Sequence, residues 1–333
     1  MAKLTRERGS ANLIAQVDYS GNKSGVRNDF DSRYPFGSIE DVVDTQGNSW
    51  VKIPKFYRVM DNNNGIVTGR QLSEYKVSDD WKLNHLFINN KGSELASVEI
   101  SKYQMSINGG VAQSKSGVTP ARNITLAEAR AAVDKLNALN DGYEYFLFNI
   151  WALELIQDLF TVEFAQSNGL DVMFGFDTFY QSNLNNTGLS DSLAHHSGYI
   201  LDSSREVTAI KYRGIENIYG NGLHVIDGIY LNGSSIVVDI NGVESTSSFS
   251  RISKDGKVHQ LGYDANLDLV LPKTIQSSGS YSDMYSISDN SGKRILLYGA
   301  QAQDGYGLFS LSDRKEDSKE YYATYHIVRR LKN

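Results

Sequence analysis

The chain has 333 residues, of which 40% are hydrophobic and 22% charged, with a formal net charge of −6. These values exclude a disordered or fibrous protein, and the absence of any run of lysines or arginines speaks against nucleic acid or an anionic membrane surface as partner. The sequence contains no cysteine, which removes disulfides, thiolate nucleophiles and cysteine metal sites together.

The amino-terminal stretch MAKLTRERGSANLI has neither an apolar segment nor a small-residue cleavage site, so no secretory signal is expected and the chain is expected to fold in a cytoplasm. Residues 1–45 show no hydrophobic period and are rich in Asn, Asp, Gly, Ser and Arg, which predicts an extended arm or attachment segment ahead of a domain over 46–333. The first strand signal is NSWVKIPKFYRVM, bounded by Gly47 and by Asp61 to Gly65. Asn64-Gly65 predicts a hairpin turn, because both residues tolerate positive φ. DNNNG resembles the opening of a calcium loop, but Ile66 and Leu72 stand where such a loop needs glycine and glutamate, so the turn reading is preferred.

A second strand, SVEISKYQMSI, leads through the link NGGVAQSKSGVTP to Thr125-Leu-Ala-Glu128, a capping box. The helix it opens places Leu126, Ala129, Ala132, Val133 and Leu136 on one face and stops near Asn140 to Gly142. A second helix is expected from a cap at Asn149 to a stop at Asn168-Gly169, a length of about 18 residues. Its apolar face is Ala152, Leu155, Ile156, Leu159 and Phe160, and its carboxylates Glu154, Asp158 and Glu163 argue against a membrane span. The expectation is a buried helix anchoring a sheet. Short strands follow in GIYLNGSSIVVDI, KRILLYG and EYYATYHIVRRLK. Strands on both sides of two adjacent helices predict α+β architecture, and no fixed-period repeat suggests a propeller or β-helix.

Tests for chemistry are mostly negative. The sequence holds no G-x-S-x-G elbow, phosphate loop or dinucleotide fingerprint, and Gly220-Asn-Gly222 and Gly305-Tyr-Gly307 read as turns. His195-His196 is the one histidine cluster, and adjacent strand residues point to opposite faces, so no metal site is expected there. Glu216 and Asp227 flank a glycine-bearing segment, and a buried, hydrogen-bonded structural role is expected for both. No cofactor is expected.

The segment from Arg213 to Gly228, RGIENIYGNGLHVIDG, resembles the G-I-E-N-x-W-G-N-x-W-E-W-V-D-G stretch of C-type-lectin-like phage tail proteins. Its G-N-x-W-E-W core also occurs in formylglycine-generating enzymes and in the variable proteins of diversity-generating retroelements. Tyr219, Leu223 and Val225 stand in place of the usual tryptophans. IPKFY, ISKYQ, TPARN, WALELIQDLFTVEFAQSN and the terminal HIVRRL look like further landmarks in the same order, over roughly residues 30–333. The resemblance implies a C-type-lectin-like fold, with a twisted antiparallel sheet, two packed helices, paired terminal strands and long loops. The enzyme branch of the group uses cysteine chemistry, so no enzymatic activity carries over to a chain without cysteine.

What the resemblance then implies is a receptor-binding protein (adhesin) of a phage or prophage tail, assembled in the bacterial cytoplasm and carried on the virion. Its partners would be a bacterial surface receptor, a glycan before a protein, and other tail proteins through the amino-terminal segment. A homotrimer would be the usual assembly, with no membrane insertion. Two loops have the composition of a paratope, with tyrosine supplying area and serine, asparagine and acids supplying hydrogen bonds. The first, Gln276 to Gly292, offers Tyr281, Asp283, Tyr285, Asp289 and Asn290; the second, Ala300 to Gly307, offers Gln301, Asp304 and Tyr306. A structural tail or baseplate component and a polysaccharide depolymerase with paired carboxylates remain the alternatives.

Overall fold

A computed structural model of the chain describes residues 15–17, 20–25, 28–165, 169–173, 175, 184–240, 242–277, 283–287, 292–299, 305–319 and 321–332. Two α-helices and a majority of strands make up their regular structure, an α+β architecture dominated by sheet. No helix among them is long and apolar enough to cross a membrane.

Both helices begin where local chemistry demands. Helix α1 (Leu126–Asn137) opens on the capping box: Glu128 N donates to Thr125 Oγ1 at 3.1 Å, and Thr125 N donates to Glu128 Oε2 at 2.8 Å. Helix α2 (Ile150–Phe164) is capped by Asn149, whose Oδ1 accepts from Ala152 N at 3.0 Å. It spans 15 residues and ends at Ala165, which takes the left-handed conformation at φ 48°, short of the stop expected at Asn168-Gly169. Asn168 lies outside the described residues, and Gly169 starts a separate turn of 3-10 helix.

A five-stranded antiparallel sheet lies between the helices, in the order Tyr143–Leu147, Ile327–Leu331, Ser97–Ser101, Ser49–Pro54, Glu40–Val43. The two-residue period of its strands sorts their side chains. Trp50, Tyr145, Leu147 and Ile327 face the cluster under α1, whereas Val51, Ile53, Ile100 and Val328 face the cluster around α2. The helices therefore sit on opposite faces of this sheet.

Much of the remaining sheet structure closes over α2, while the hairpin Ser106–Asn108 with Val111–Gln113 packs on α1. A second sheet of twelve strands includes the hairpin Tyr57–Asn63 with Ile66–Ser73 and the hairpin Leu223–Asn232 with Ser235–Ile240. The first hairpin turns at Asn64 and Gly65, at φ 53° and 71°, as the Asn-Gly signal predicts. With sheet on both sides, every residue of α2 except Thr161 is buried, so the helix presents no solvent-exposed face. Its three carboxylates are met by arginines from the surrounding strands. Arg58 Nη1 lies 2.7 Å from Glu154 and 3.0 Å from Asp158, Arg70 also reaches Asp158, and Arg213 binds Glu163 through Nε and Nη2. Buried charges of this kind persist only when paired and hydrogen-bonded.

The amino-terminal region departs from the expected arm. Phe30, Phe36 and Ile39 are buried in the main core, Phe30 and Phe36 meet edge to face at 4.9 Å, and Glu40–Val43 forms an edge strand. From residue 28 the chain thus belongs to the body. Its apolar residues sit on short 3-10 turns, which carry neither a helical nor a strand period. Residues 1–14 lie outside the described residues.

Candidate functional site

Of the loop residues expected to contact a ligand, Tyr281, Asp289, Asn290, Gln301 and Asp304 lie outside the described residues. Asp283 and Tyr285 do not sit on an exposed loop. The strand Met284–Ser286 draws this stretch back into the large sheet, beside Leu311–Lys315. Asp283 is wholly buried and accepts from Gly307 N at 2.6 Å and Phe309 N at 3.3 Å, and burial pushes its carboxyl well above the ordinary carboxylate range. Tyr285 is buried too; its hydroxyl accepts from Ile252 N at 3.3 Å and is pushed up to about 12 by burial. Both are internal braces rather than contact residues. Tyr306 is half-buried against the cluster under α1.

The segment that carries the family resemblance is also interior. Glu216 accepts from Gly188 N, Ser190 N and Ser190 Oγ at 2.7–2.8 Å, the structural role expected of it, and burial raises its pKa despite those bonds. Tyr219, in a tryptophan's place, donates its hydroxyl to the carbonyls of Met173 and Gly169. Asn221, left-handed at φ 51°, donates to Gln104 Oε1 at 2.7 Å and to Asn185 O at 3.0 Å and accepts from Asn185 N. Gly222 stands at φ 117° with Tyr322 O only 2.6 Å from where a Cβ would lie, so no side chain fits there.

At the end of this segment the chain reaches the surface, and there a cleft opens. Asp227 pairs with Asn149 in an isolated bridge and donates its own N–H to Phe148 O at 2.9 Å, which sets it beside the first turn of α2. Its carboxylate takes a two-pronged grip from Arg130 of α1, Nη2 at 2.5 Å and Nε at 3.1 Å, and also accepts from Gly228 N. Around this pair is a cleft of about 430 Å³. Its aromatic lining is His85, which lies against Trp151 with ring centroids 4.1 Å apart, and Phe146, over which the Arg330 guanidinium lies. Its polar lining is Asp227, Asp239, Glu144 and Arg330, with Arg330 Nε 2.8 Å from Glu144. Burial lowers the His85 pKa, so its ring is neutral at neutral pH.

Most polar groups here are held by one another before any ligand arrives. Asp227 fixes Arg130 and its hydrogen bond raises the guanidinium pKa, while Ile88 O and Glu144 fix Arg330. Such a cleft can receive hydroxyl groups without reorganising. Of its residues only Asp227 stands out in the sequence. The others are scattered from His85 to Arg330 without a motif, and no local pattern could have gathered them.

His195 Nε2 bonds Asp31 Oδ2 at 2.9 Å beside the His196 ring, and among the described residues no three metal-capable side chains come together. No protein-family model matches the chain, and no curated protein matches it significantly.

Proposed function

We propose that this chain is a non-enzymatic host-binding protein of a phage or prophage tail, recognising a bacterial surface glycan through a lectin-like body. The observation that carries the reading is the preformed cleft at Asp227, which aromatic side chains line together with fixed carboxylates and guanidiniums. That combination suits sugars, whose apolar ring faces and hydroxyls need both surfaces. One feature supports the lectin-like assignment: the segment resembling the family's tryptophan-rich stretch forms the buried spine leading to the cleft. The paired terminal strands that the resemblance implies are not found among the described residues, because Ile327–Leu331 lies between Tyr143–Leu147 and Ser97–Ser101 and not beside Ser49–Pro54. Attachment to other tail proteins through the amino-terminal region, a trimeric assembly and residence in the virion belong to the same proposal.

The test is adsorption of the fluorescently labelled full chain to cells of a strain carrying or infected by the phage that encodes it. Binding is expected, with loss after mild periodate treatment of the cell surface. A folded chain that fails to adsorb overturns the reading.

A further inference from the structure

The cleft does not end at Arg130. On the other side of that guanidinium lies a second, shallower basin of about 670 Å³, bounded by the first turn of α1 and by Lys293, Lys315 and Glu316. Arg130 lines both basins, which therefore meet at its side chain, while Asp227 lines the first only. A groove with two basins accommodates successive units of a chain better than a single small molecule.

Charge narrows the class of ligand. Both guanidiniums of the first basin already have carboxylate partners, Asp227 for Arg130 and Glu144 for Arg330. Asp239 adds a further carboxylate, which has no cation within 4 Å among the described residues and bonds only Gly242 N, at 2.7 Å. In the second basin Lys293 is 3.2 Å from Glu316 and lies over the Tyr230 ring, and Lys315 stands with Asp317 in the same lining, so this basin carries no excess of negative charge. An incoming carboxylate or sulfate would find an excess of negative charge and no free cation in the first basin. An uncharged hydroxyl-rich chain would find acceptors in Asp239, Asp227 and Glu144 and an aromatic edge at His85 and Trp151.

We infer that this groove binds a neutral oligosaccharide across both basins, with Asp239 and Asp227 accepting from sugar hydroxyls and uronic-acid units excluded from the first basin. The inference rests on the host-binding reading for its biological meaning, but its test is independent of it. The chain has three tryptophans, Trp50, Trp81 and Trp151, of which only Trp151 lines the groove. With the full chain labelled with 5-fluorotryptophan, titration with neutral gluco-, galacto- and manno-oligosaccharides should move the Trp151 fluorine resonance and leave the other two in place. Oligogalacturonate and oligoalginate should move none. Asp239→Asn and Arg130→Ala should each weaken binding roughly tenfold, with thermal unfolding showing that both variants fold. Absence of any Trp151 response to the neutral series at millimolar concentration overturns the assignment, as does equal binding of the acidic series or unchanged binding in both folded variants. If the chain adsorbs to cells but no neutral sugar moves the Trp151 resonance, the groove assignment falls and the host-binding reading stands. If neutral sugars bind in the groove but cells do not, the reverse holds.

Discussion

The imidazoles of His224 and His326 stack inside the protein with centroids 5.6 Å apart and planes within 10° of parallel, both wholly buried. His224 Nε2 bonds Gly220 O at 2.9 Å and His326 Nδ1 bonds Ser101 Oγ at 3.0 Å, which ties the carboxy-terminal strand to the Gly220 turn. Burial, and for His224 the facing His326, lowers their pKa values to about 3 and about 4 respectively.

Acid sensitivity follows from that pair. Both folded pKa values lie below the unfolded value of about 6.5, so as pH falls the unfolded chain takes up protons that the folded chain refuses. Stability should be lost below about pH 6.5, by up to about 1.4 kcal/mol per histidine for each pH unit, until the folded pKa values are reached. Urea denaturation across that range checks it; His224→Gln with His326→Gln should reduce the slope, and an unchanged slope refutes this origin.

Removing Arg58 should be among the most damaging single changes. Arg58→Ala leaves Glu154 and Asp158 buried with Arg70 as their remaining nearby cation, at a cost of about 3–5 kcal/mol. Thermal unfolding of the variant is the measurement, and a loss under about 1 kcal/mol would mean the network relaxes or hydrates.

Asn221→Ala removes three buried hydrogen bonds and forces a β-carbon residue to hold φ 51°, so a loss of about 2–4 kcal/mol is expected. Asn221→Gly restores the backbone freedom but not the bonds. Its stability should fall between those of Asn221→Ala and the unaltered chain in denaturant melts.

Asp283 titrates in the opposite sense to the histidines. Its folded pKa is raised, so the stability it contributes is full below the unfolded pKa of about 4 and is lost as pH rises through the folded value. Asp283→Asn cannot ionise; its single amide oxygen keeps the acceptor for Gly307 N, while Phe309 N loses the oxygen it donates to at 3.3 Å. The stability of the variant relative to the parent should rise from about pH 3 to about pH 8 in paired denaturant melts. A deficit confined to alkaline pH refutes the account.

Arg130→Ala should be nearly silent in stability. Its side chain is 46% exposed, and an exposed ion pair contributes about 1 kcal/mol or less. A melting temperature close to that of the parent makes it a clean probe of the groove.

The sequence by itself determined what depends on neighbours along the chain. The Thr125 capping box, the Asn149 cap and the Asn64-Gly65 turn are legible because the groups that bond lie within three or so residues of one another. The two-residue alternation around Trp50, Val51 and Ile53 is legible for the same reason. The tertiary structure alone decided which polar residues are interior and which are offered to a ligand. Tyrosine and serine composition pointed to a contact surface at Asp283 and Tyr285, yet both are core, because a three-residue strand reels them into a sheet built by distant segments. α2 reads as a helix with one apolar face, and arginines distant in the chain make its other face buriable: Arg58, 100 residues from Asp158, with Arg70 and Arg213. Of the groove, Asp227 was visible as a carboxylate at the end of a glycine-bearing segment. Its pairing with Arg130 spans 97 residues, and contacts of that reach are set by how sheets and helices pack, not by any period in the chain.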